Sequence, residues 1–190
     1  MNASLGTLNR LKGVLFFYLK KIIMDFSTPR LAIRKITVED ALFIFELLNS
    51  PDWLKYIGNR GIDSLEAAQA YIEKNYVPNY QNGLGNFLVT LSSSYIPIGT
   101  CGLFKRENLE FPDIGFAFLP DYVGKGYGYE AASVVLNYAL KELKLTKLYG
   151  FTVPNNIASI KLLEKLGLQN KGSFALEGDE AELLLFELIP

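Results

Sequence analysis

One stretch constrains the fold more than any other: an apolar segment, then alternating glycines, then a helical pattern. Residues 113–119 are mostly apolar and aromatic and end at Pro120, which is typical of a mostly buried strand. Gly124, Gly126 and Gly128 follow, and an uninterrupted helical pattern begins directly after them. The stretch therefore predicts a strand, a glycine loop and a helix in succession.

A glycine loop that opens a helix can bind an anion. Its backbone N–H groups can turn toward a negative charge, which then lies at the positive end of the helix dipole. Glycine permits a positive φ and the close approach of a ligand. A tight turn without a ligand is the simpler interpretation of one glycine, whereas three alternating glycines before a helix favour anion binding.

Two familiar nucleotide-binding loops do not fit the spacing. A P-loop needs Ser or Thr after Gly-Lys, and here Gly124 and Lys125 are followed by Gly126. A dinucleotide-binding loop has the pattern G-x-G-x-x-G and an acidic residue at the end of the next strand. Here the spacing is G-x-G-x-G, and the next predicted strand, residues 147–153, is followed by Pro-Asn-Asn.

Residues 123–128, with the sequence VGKGYG, resemble the pyrophosphate loop of the GCN5-related N-acetyltransferases (GNATs). The family pattern is Gln or Arg, two free positions, Gly, one free position, then Gly or Ala. Gly126 and Gly128 match this pattern, and Val123 departs from it. The departure is compatible with binding because the loop acts through backbone N–H groups. The branch that resembles ribosomal-protein alanine N-acetyltransferases often has an apolar residue there.

Two further segments resemble the same branch, in the same order along the chain. Residues 28–34 resemble its opening strand, and residues 156–168 resemble its late helix and the start of the strand that follows. The resemblance implies the GNAT fold, a mixed α/β domain with a mostly antiparallel central sheet of six or seven strands and flanking helices. In that fold the strands that carry residues 114–119 and 149–153 splay apart, and the arm of acetyl-CoA enters between them.

Hydrophobic patterns place further elements. The first predicted helix has Thr37 and Asp40 at its start and is broken at Pro51, and the second starts with a capping box of Asp63 and Glu66. The late helix begins at Asn155 or Asn156. The predicted strands cover residues 30–36, 87–91, 97–104, 114–119, 147–153, 168–175 and 182–189.

The composition is that of one ordinary globular domain. The chain has 190 residues, of which 49% are apolar and 21% are charged. A net charge of −1 provides no general attraction to nucleic acid or to anionic membranes, and we expect neither as a partner. The chain contains no histidine, which excludes histidine-based triads and the usual zinc sites, and we expect no metal.

Residues 1–24 are interpreted as an N-terminal extension and residues 25–190 as the acetyltransferase domain, with Met24 as an alternative start. The apolar run at residues 14–19 is too short to span a bilayer, which needs about 20 residues. We therefore expect no integral membrane segment, although lysines beside the run leave weak membrane association as an alternative. The single Cys101 predicts a buried thiol in a reducing compartment, and we expect a cytoplasmic protein.

The resemblance implies that acetyl-CoA is the co-substrate and that the glycine loop binds its phosphates. A backbone N–H near Phe118 or Leu119 would polarise the thioester carbonyl. Asn156 matches an asparagine that binds the arm of the cofactor, and a plain N-cap is the alternative. The predicted cofactor-binding residues are Phe118, Leu119, Val123, Gly124, Lys125, Gly126, Tyr127, Gly128 and Asn156.

The groups that transfer protons are harder to assign. Many GNATs place a tyrosine acid seven residues beyond the asparagine, where this chain has Leu163. Ser159 matches a serine that is proposed as proton donor in the resembling branch. Asp113 and Glu177 are the candidate bases, either directly or through a water.

The sequence thus predicts an acetyl-CoA-dependent N-acetyltransferase that acts as a monomer or homodimer on a primary amine, either a peptide N-terminus or a small amine. An α-amine is easier to deprotonate than a lysine side chain, which suits a site without histidine or a tyrosine acid. Trp53, Tyr56 and Tyr80 are candidates to shape the acceptor pocket. The alternative is a non-catalytic acyl-CoA-binding module, which the missing tyrosine and histidine would fit.

Overall fold

A computed structural model of the protein describes residues 25–175 and 182–189. Its eight strands form one sheet in the order β1-β2-β3-β4-β5-β6-β8-β7, and β5 and β6 are the one parallel pair of neighbours in this part of the chain. The strands are β1 (Phe26–Ser27), β2 (Leu31–Lys35), β3 (Gly85–Leu91), β4 (Pro97–Phe104), β5 (Asp113–Phe118), β6 (Leu148–Thr152), β7 (Gln169–Phe174) and β8 (Leu183–Leu188).

The predicted mixed α/β class and mostly antiparallel sheet are confirmed, with eight strands instead of six or seven. The additional strand is β1, which pairs with β2 through Phe26 and Ser27. Two residues are too few to produce the alternation that reveals a strand in a sequence. Each of the seven predicted strands is present.

Five α-helices flank the sheet in the described residues. Pro51 does not simply break the first helix; it occupies the first turn of a second short helix, where its missing N–H costs nothing. Ser64, one residue after the predicted Asp63, caps the third helix by accepting from the Ala67 N–H at 3.1 Å. The helices are α1 (Ala41–Leu48), α2 (Pro51–Tyr56), α3 (Leu65–Asn75), α4 (Tyr127–Lys141) and α5 (Ile157–Lys165).

Two apolar clusters cover the two faces of the sheet. The first lies between the sheet and helices α4 and α5, and it includes Ile114, Val135, Leu163 and Phe186. The second packs α1, α2 and α3 on the other face, and Leu119 at the end of β5 lies against it. Cys101 is fully buried in the first cluster, as predicted, and burial raises the pKa of its thiol. The sheet is therefore enclosed on both faces where β5 passes through it.

The N-terminal extension predicted for residues 1–24 lies outside the described residues. Among residues 25–175 and 182–189, no helix is both long enough and apolar enough to cross a bilayer.

Candidate active site

The parallel strands β5 and β6 pair only where they begin. Their register contains Asp113 opposite Tyr149 and Ile114 opposite Gly150, and then the pairing ends. Strand β5 nevertheless stays paired with β4 as far as Phe118, and β6 stays paired with β8 as far as Thr152. The two central strands therefore separate toward their carboxyl ends and leave a gap with a closed end and an open end. This is the predicted splay.

The backbone of β5 alternates between its two neighbours, which determines which groups face the gap. Leu119 donates its N–H to the Ile98 carbonyl in β4 at 3.0 Å, and the Pro112 carbonyl accepts from Tyr149 in β6 at 2.9 Å. By alternation along the strand, the N–H and C=O groups of Phe116 and Phe118 point into the gap. Of the two predicted carbonyl-polarising groups, the Leu119 N–H is already used and the Phe118 N–H is directed to the gap.

The glycine loop follows the open end of this gap. Gly124 has φ +77° and Gly126 has φ +81°, a region that favours glycine. Gly126 is the N-cap of α4, a helix of 15 residues, so the loop reaches the positive end of the helix dipole. A Cβ on Gly124 would meet nothing within 4 Å. The loop surface at Gly124 is therefore open to a ligand.

Gly128 has a different role from the two glycines before it. A Cβ at this position would lie 2.9 Å from Leu162 in α5 and 3.5 Å from the Phe118 ring. The missing side chain lets the first turn of α4 pack against α5 and β5 at once. The third glycine of the motif thus serves helix packing beside the gap.

The other loop side chains are mostly exposed. Val123 is 45% exposed, and the Lys125 ammonium lies 5.7 Å from the centre of the Tyr122 ring. The ring of Tyr127 is half-buried and lies 4.7 Å from the guanidinium of Arg30. The loop therefore presents backbone and one lysine charge to solvent, which fits an anion site that acts mainly through N–H groups.

On the other side of the gap, Asn156 caps helix α5. Its Oδ1 accepts from the Ser159 N–H at 3.1 Å, and its side-chain amide is left to donate elsewhere. Both interpretations of Asn156 are therefore compatible with one geometry. The Ser159 hydroxyl forms no hydrogen bond to the described residues. Leu163, at the position where the family resemblance leads us to expect a tyrosine, is buried in the first cluster against Gly150.

Asp113 lies at the closed end of the gap, on the strand face opposite α4. Its side chain is buried and pairs with Arg106, whose Nε and Nη2 donate to the carboxylate at 2.8 and 3.2 Å. Burial raises the pKa of Asp113, and the hydrogen bonds and charge of Arg106 oppose that rise. Strand geometry separates Asp113 from Phe118 by about 17 Å, at roughly 3.3 Å per residue. The structure thus places the carboxylate and the glycine loop at opposite ends of β5.

The remaining candidates are distributed differently. Glu177 lies outside the described residues. Trp53 belongs to the second apolar cluster, and its indole N–H is buried without a partner in the described chain. The Tyr80 hydroxyl donates to the Asn86 carbonyl and accepts from the Ile36 N–H at 2.9 Å, so it joins β2 to β3. The Lys55 ammonium lies over the Tyr56 ring, with its nitrogen 4.7 Å from the ring centre.

Residues 30–169 match the family described as the acetyltransferase (GNAT) domain. The chain belongs to this family. The uncharacterized N-acetyltransferase YnaD of Bacillus subtilis is 32% identical over 151 residues, which cover 80% of this chain and 86% of that relative. The predicted acetyltransferase activity is therefore confirmed at the level of the GNAT family.

Two solved structures share the fold at about 20% identity. The ribosomal-protein-S5-alanine acetyltransferase from Vibrio fischeri superposes with a TM-score of 0.71 and 20% identity, covering 86% of this chain and 95% of that chain. The spermidine N-acetyltransferase from Vibrio cholerae, in complex with CoA and spermine, superposes with a TM-score of 0.70 and 20% identity, covering 85% and 96%.

Three side chains around the glycine loop of this GNAT domain were not identified from the sequence. Thr28 and Arg30 precede β2, and Glu130 lies in the first turn of α4, 100 residues after Arg30. Residues 28–34 resemble the opening strand of the family, but that pattern indicates a strand and says nothing about a distant partner. Within the described residues, no group of three or more acidic, cysteine or histidine side chains could hold a metal ion.

Proposed function

We propose that the protein transfers an acetyl group from acetyl-CoA to a primary amine, either the α-amine of a peptide or a small-molecule amine. The observation that carries the proposal is the gap between β5 and β6, whose open end meets the glycine loop at the N-terminus of α4. A phosphate at the loop and an extended arm in the gap would use both features. The spermidine N-acetyltransferase from Vibrio cholerae, solved in complex with CoA and spermine, has the same fold.

The residues present fit each part of this co-substrate. Loop N–H groups of residues 124–128 would bind the pyrophosphate at the positive end of the α4 dipole. The free backbone groups of Phe116 and Phe118 would pair with the amides of the arm, much as another strand would. The Asn156 side-chain amide would donate to the arm from the opposite side of the gap.

The chemistry then requires two proton transfers. The neutral amine attacks the thioester carbonyl, whose developing negative charge is stabilised by the Phe118 N–H. The carbon–sulfur bond breaks, and Ser159, whose hydroxyl forms no hydrogen bond to the described residues, protonates the leaving thiolate and regains a proton from water. Asp113 and Glu177 are the candidate bases. Burial raises the pKa of Asp113, but about 17 Å of strand separates it from Phe118, so it would accept the amine proton only through a chain of several waters.

The groups available for proton transfer also favour one class of acceptor. An α-amine has an unperturbed pKa of about 7.7–8.0, against about 10.4 for a lysine side chain. A useful fraction of an α-amine is thus neutral at pH 7, and a site without histidine or a tyrosine acid needs to do less for it. Small amines with a similar pKa are equally suitable.

The proposal also covers the bounds of the catalytic domain, the location of the protein and its oligomeric state. Residues 25–190 form the catalytic domain, and residues 1–24 are an extension that catalysis does not require. The protein acts in the cytoplasm as a monomer or homodimer.

An acceptor panel tests the function directly. Thiol release from acetyl-CoA is measured at pH 7 with Ala-, Ser- and Met-starting peptides, N-blocked lysine peptides and polyamines. We expect acceptor-dependent release with a free-terminus peptide or a small amine. Faster turnover of the blocked lysine peptides than of every other acceptor would overturn the ranking, and binding without release from any amine would favour a non-catalytic module.

A further inference from the structure

Three side chains, Thr28, Arg30 and Glu130, tie the glycine loop to the segment that enters β2; we call them the loop strap. Arg30 donates from Nε to Glu130 Oε2 at 2.6 Å and from Nη1 to the Lys125 carbonyl at 3.1 Å. Thr28 Oγ1 donates to Glu130 Oε1 at 2.5 Å. The strap therefore connects the start of β2 with both the loop backbone and the first turn of α4.

Arg30 also lies against the loop surface. Its guanidinium carbon is 4.7 Å from the centre of the Tyr127 ring, and Nη2 lies 3.4 Å from where a Cβ of Gly126 would be. One side chain thus contacts a loop carbonyl, an aromatic ring and a carboxylate. A planar guanidinium with five donors can serve these partners together, whereas the single ammonium of lysine cannot.

These contacts reduce the entropic cost of ordering a loop that contains glycines. Glycine has more backbone freedom to lose than any other residue, so a loop with Gly124 and Gly126 is costly to order. A ligand that binds through loop N–H groups bears that cost unless the loop is ordered beforehand. Contacts that order the loop in the absence of ligand therefore increase affinity.

Two possible roles for Arg30 predict opposite effects on acetyl-CoA affinity when the charge of Glu130 is removed. If Arg30 simply attracts phosphate, Glu130 weakens binding by cancelling its charge. If Arg30 and Glu130 hold the loop, both strengthen binding. The contacts favour the second role, because Glu130 accepts from Thr28 Oγ1, from Arg30 Nε and from the Arg30 N–H at 3.3 Å. Partial burial raises the pKa of Glu130, but these hydrogen bonds outweigh it and lower the pKa.

We propose that Thr28, Arg30 and Glu130 are positioning residues that hold the glycine loop in its binding conformation before acetyl-CoA arrives. The inference rests on the proposed function of that loop. None of the three acts on the reacting atoms, so their effect falls on the KM for acetyl-CoA and leaves kcat at saturation nearly unchanged.

Arg30→Lys and Glu130→Gln test the strap. We expect each to raise the Kd and the KM for acetyl-CoA about tenfold and to change kcat less than about twofold, which is the pattern of lost binding. Amide hydrogen exchange in residues 124–128 of the free protein should also become faster in both variants. Thr28→Val, which removes one hydroxyl, should produce a smaller change in the same direction.

The matched control is Arg34→Lys. Arg34 lies on β2 and forms a bidentate pair with Asp40, with both hydrogen bonds at 2.7 Å. This variant makes the same chemical change in an ion pair that does not contact the loop. We expect it to lower the melting temperature and to leave the KM for acetyl-CoA and the exchange of residues 124–128 as in the wild type.

The outcomes separate the strap from the function on which it rests. Wild-type protein that does not bind acetyl-CoA contradicts the proposed function. Wild-type binding with unchanged affinity in Arg30→Lys and Glu130→Gln contradicts the strap alone. Tighter binding in Glu130→Gln contradicts it as well, because that result assigns Arg30 a purely electrostatic role.

Discussion

The two ends of β5 differ in almost every physical property. At the closed end, Asp113 is 2% exposed, its strand pairs with neighbours on both sides, and its charge is matched by Arg106. At the open end, the strand has lost its partner on one side, and the loop that follows presents backbone to solvent. One end is a buried side-chain site and the other an exposed backbone site, at the two ends of a strand of only six residues.

The difference explains how the work is divided in the proposed reaction. Binding a pyrophosphate needs several donors in a fixed arrangement, which backbone N–H groups supply at an exposed helix start. Moving a proton needs a group of suitable pKa that can reach the amine, directly or through water; burial raises the pKa of Asp113 at the closed end, about 17 Å of strand from Phe118. Each end is unsuited to the other task, so substitutions at the two ends should produce different kinetic signatures.

The largest expected effect is at the open end. Gly126→Glu places a carboxylate and a side chain at a position with φ +81°, where phosphate would bind. We expect the Kd for acetyl-CoA in calorimetry to rise at least about 100-fold, which corresponds to about 2.8 kcal/mol. Gly126→Ala introduces the same backbone strain without the charge and should lose less. Equal affinity of the Glu variant and the wild type for acetyl-CoA would show that the glycine loop is not part of the binding site.

The next largest effect is at the closed end, where Asp113→Asn keeps the shape of the side chain and removes its charge. We expect kcat at pH 7 to fall about tenfold, less than the roughly 10²–10⁴-fold effect of a base in direct contact because Asp113 would act through water, and to recover as the pH rises and the acceptor deprotonates itself. The Kd for acetyl-CoA should stay near the wild-type value, opposite to Gly126→Glu. A normal pH–rate profile would assign the base to another group, such as Glu177.

A smaller effect is expected from Ser159→Ala. The cap of α5 uses the backbone N–H of residue 159, so the helix survives the change, and alanine is a better helix former. We expect kcat to fall about threefold to tenfold, because water can replace a hydroxyl donor in part. The measurement is a single-turnover rate of thiol release, and an unchanged rate would mean that bulk water protonates the thiolate.

The smallest effect is a pH dependence of stability. The pKa of Glu130 in the folded protein lies below its ordinary value of 4.5, so its contribution to stability is present above that pH and is lost as the pH falls through the folded pKa. Thermal unfolding of the wild type and of Glu130→Gln should differ by less than about 1 kcal/mol at pH 7. This difference should shrink below pH 4.5. A difference that grows there would contradict a lowered pKa of Glu130 in the folded protein.

Features that depend on local backbone conformation were predictable from the sequence. The glycine loop and the Asn156 cap follow from residue preferences within a few positions. Gly128 was recognised as part of the motif, but its packing role depends on Leu162, which only the assembled fold brings near.

Features that depend on one particular side-chain partner were not predictable. The Arg30–Glu130 pair spans 100 residues, and the strand alternation around Arg30 does not indicate which carboxylate it meets. The Asp113–Arg106 pair forms across the turn between β4 and β5, and Asp113 alone reads as a surface acid. A single sequence indicates local structure well, but it does not show which side chains meet in the fold. The assignment of the proton-transfer groups depends on such contacts.

The central claim is that acetyl-CoA binds in the gap between β5 and β6, against the unpaired backbone of β5. Residue-resolved amide hydrogen exchange by NMR, with and without acetyl-CoA, tests it most directly. Our account predicts that acetyl-CoA slows exchange at the gap-facing amides of Phe116 and Phe118 and in residues 124–128, and changes little at Ala117, whose N–H faces β4. Protection that is absent from Phe116 and Phe118 while acetyl-CoA is bound would contradict the account.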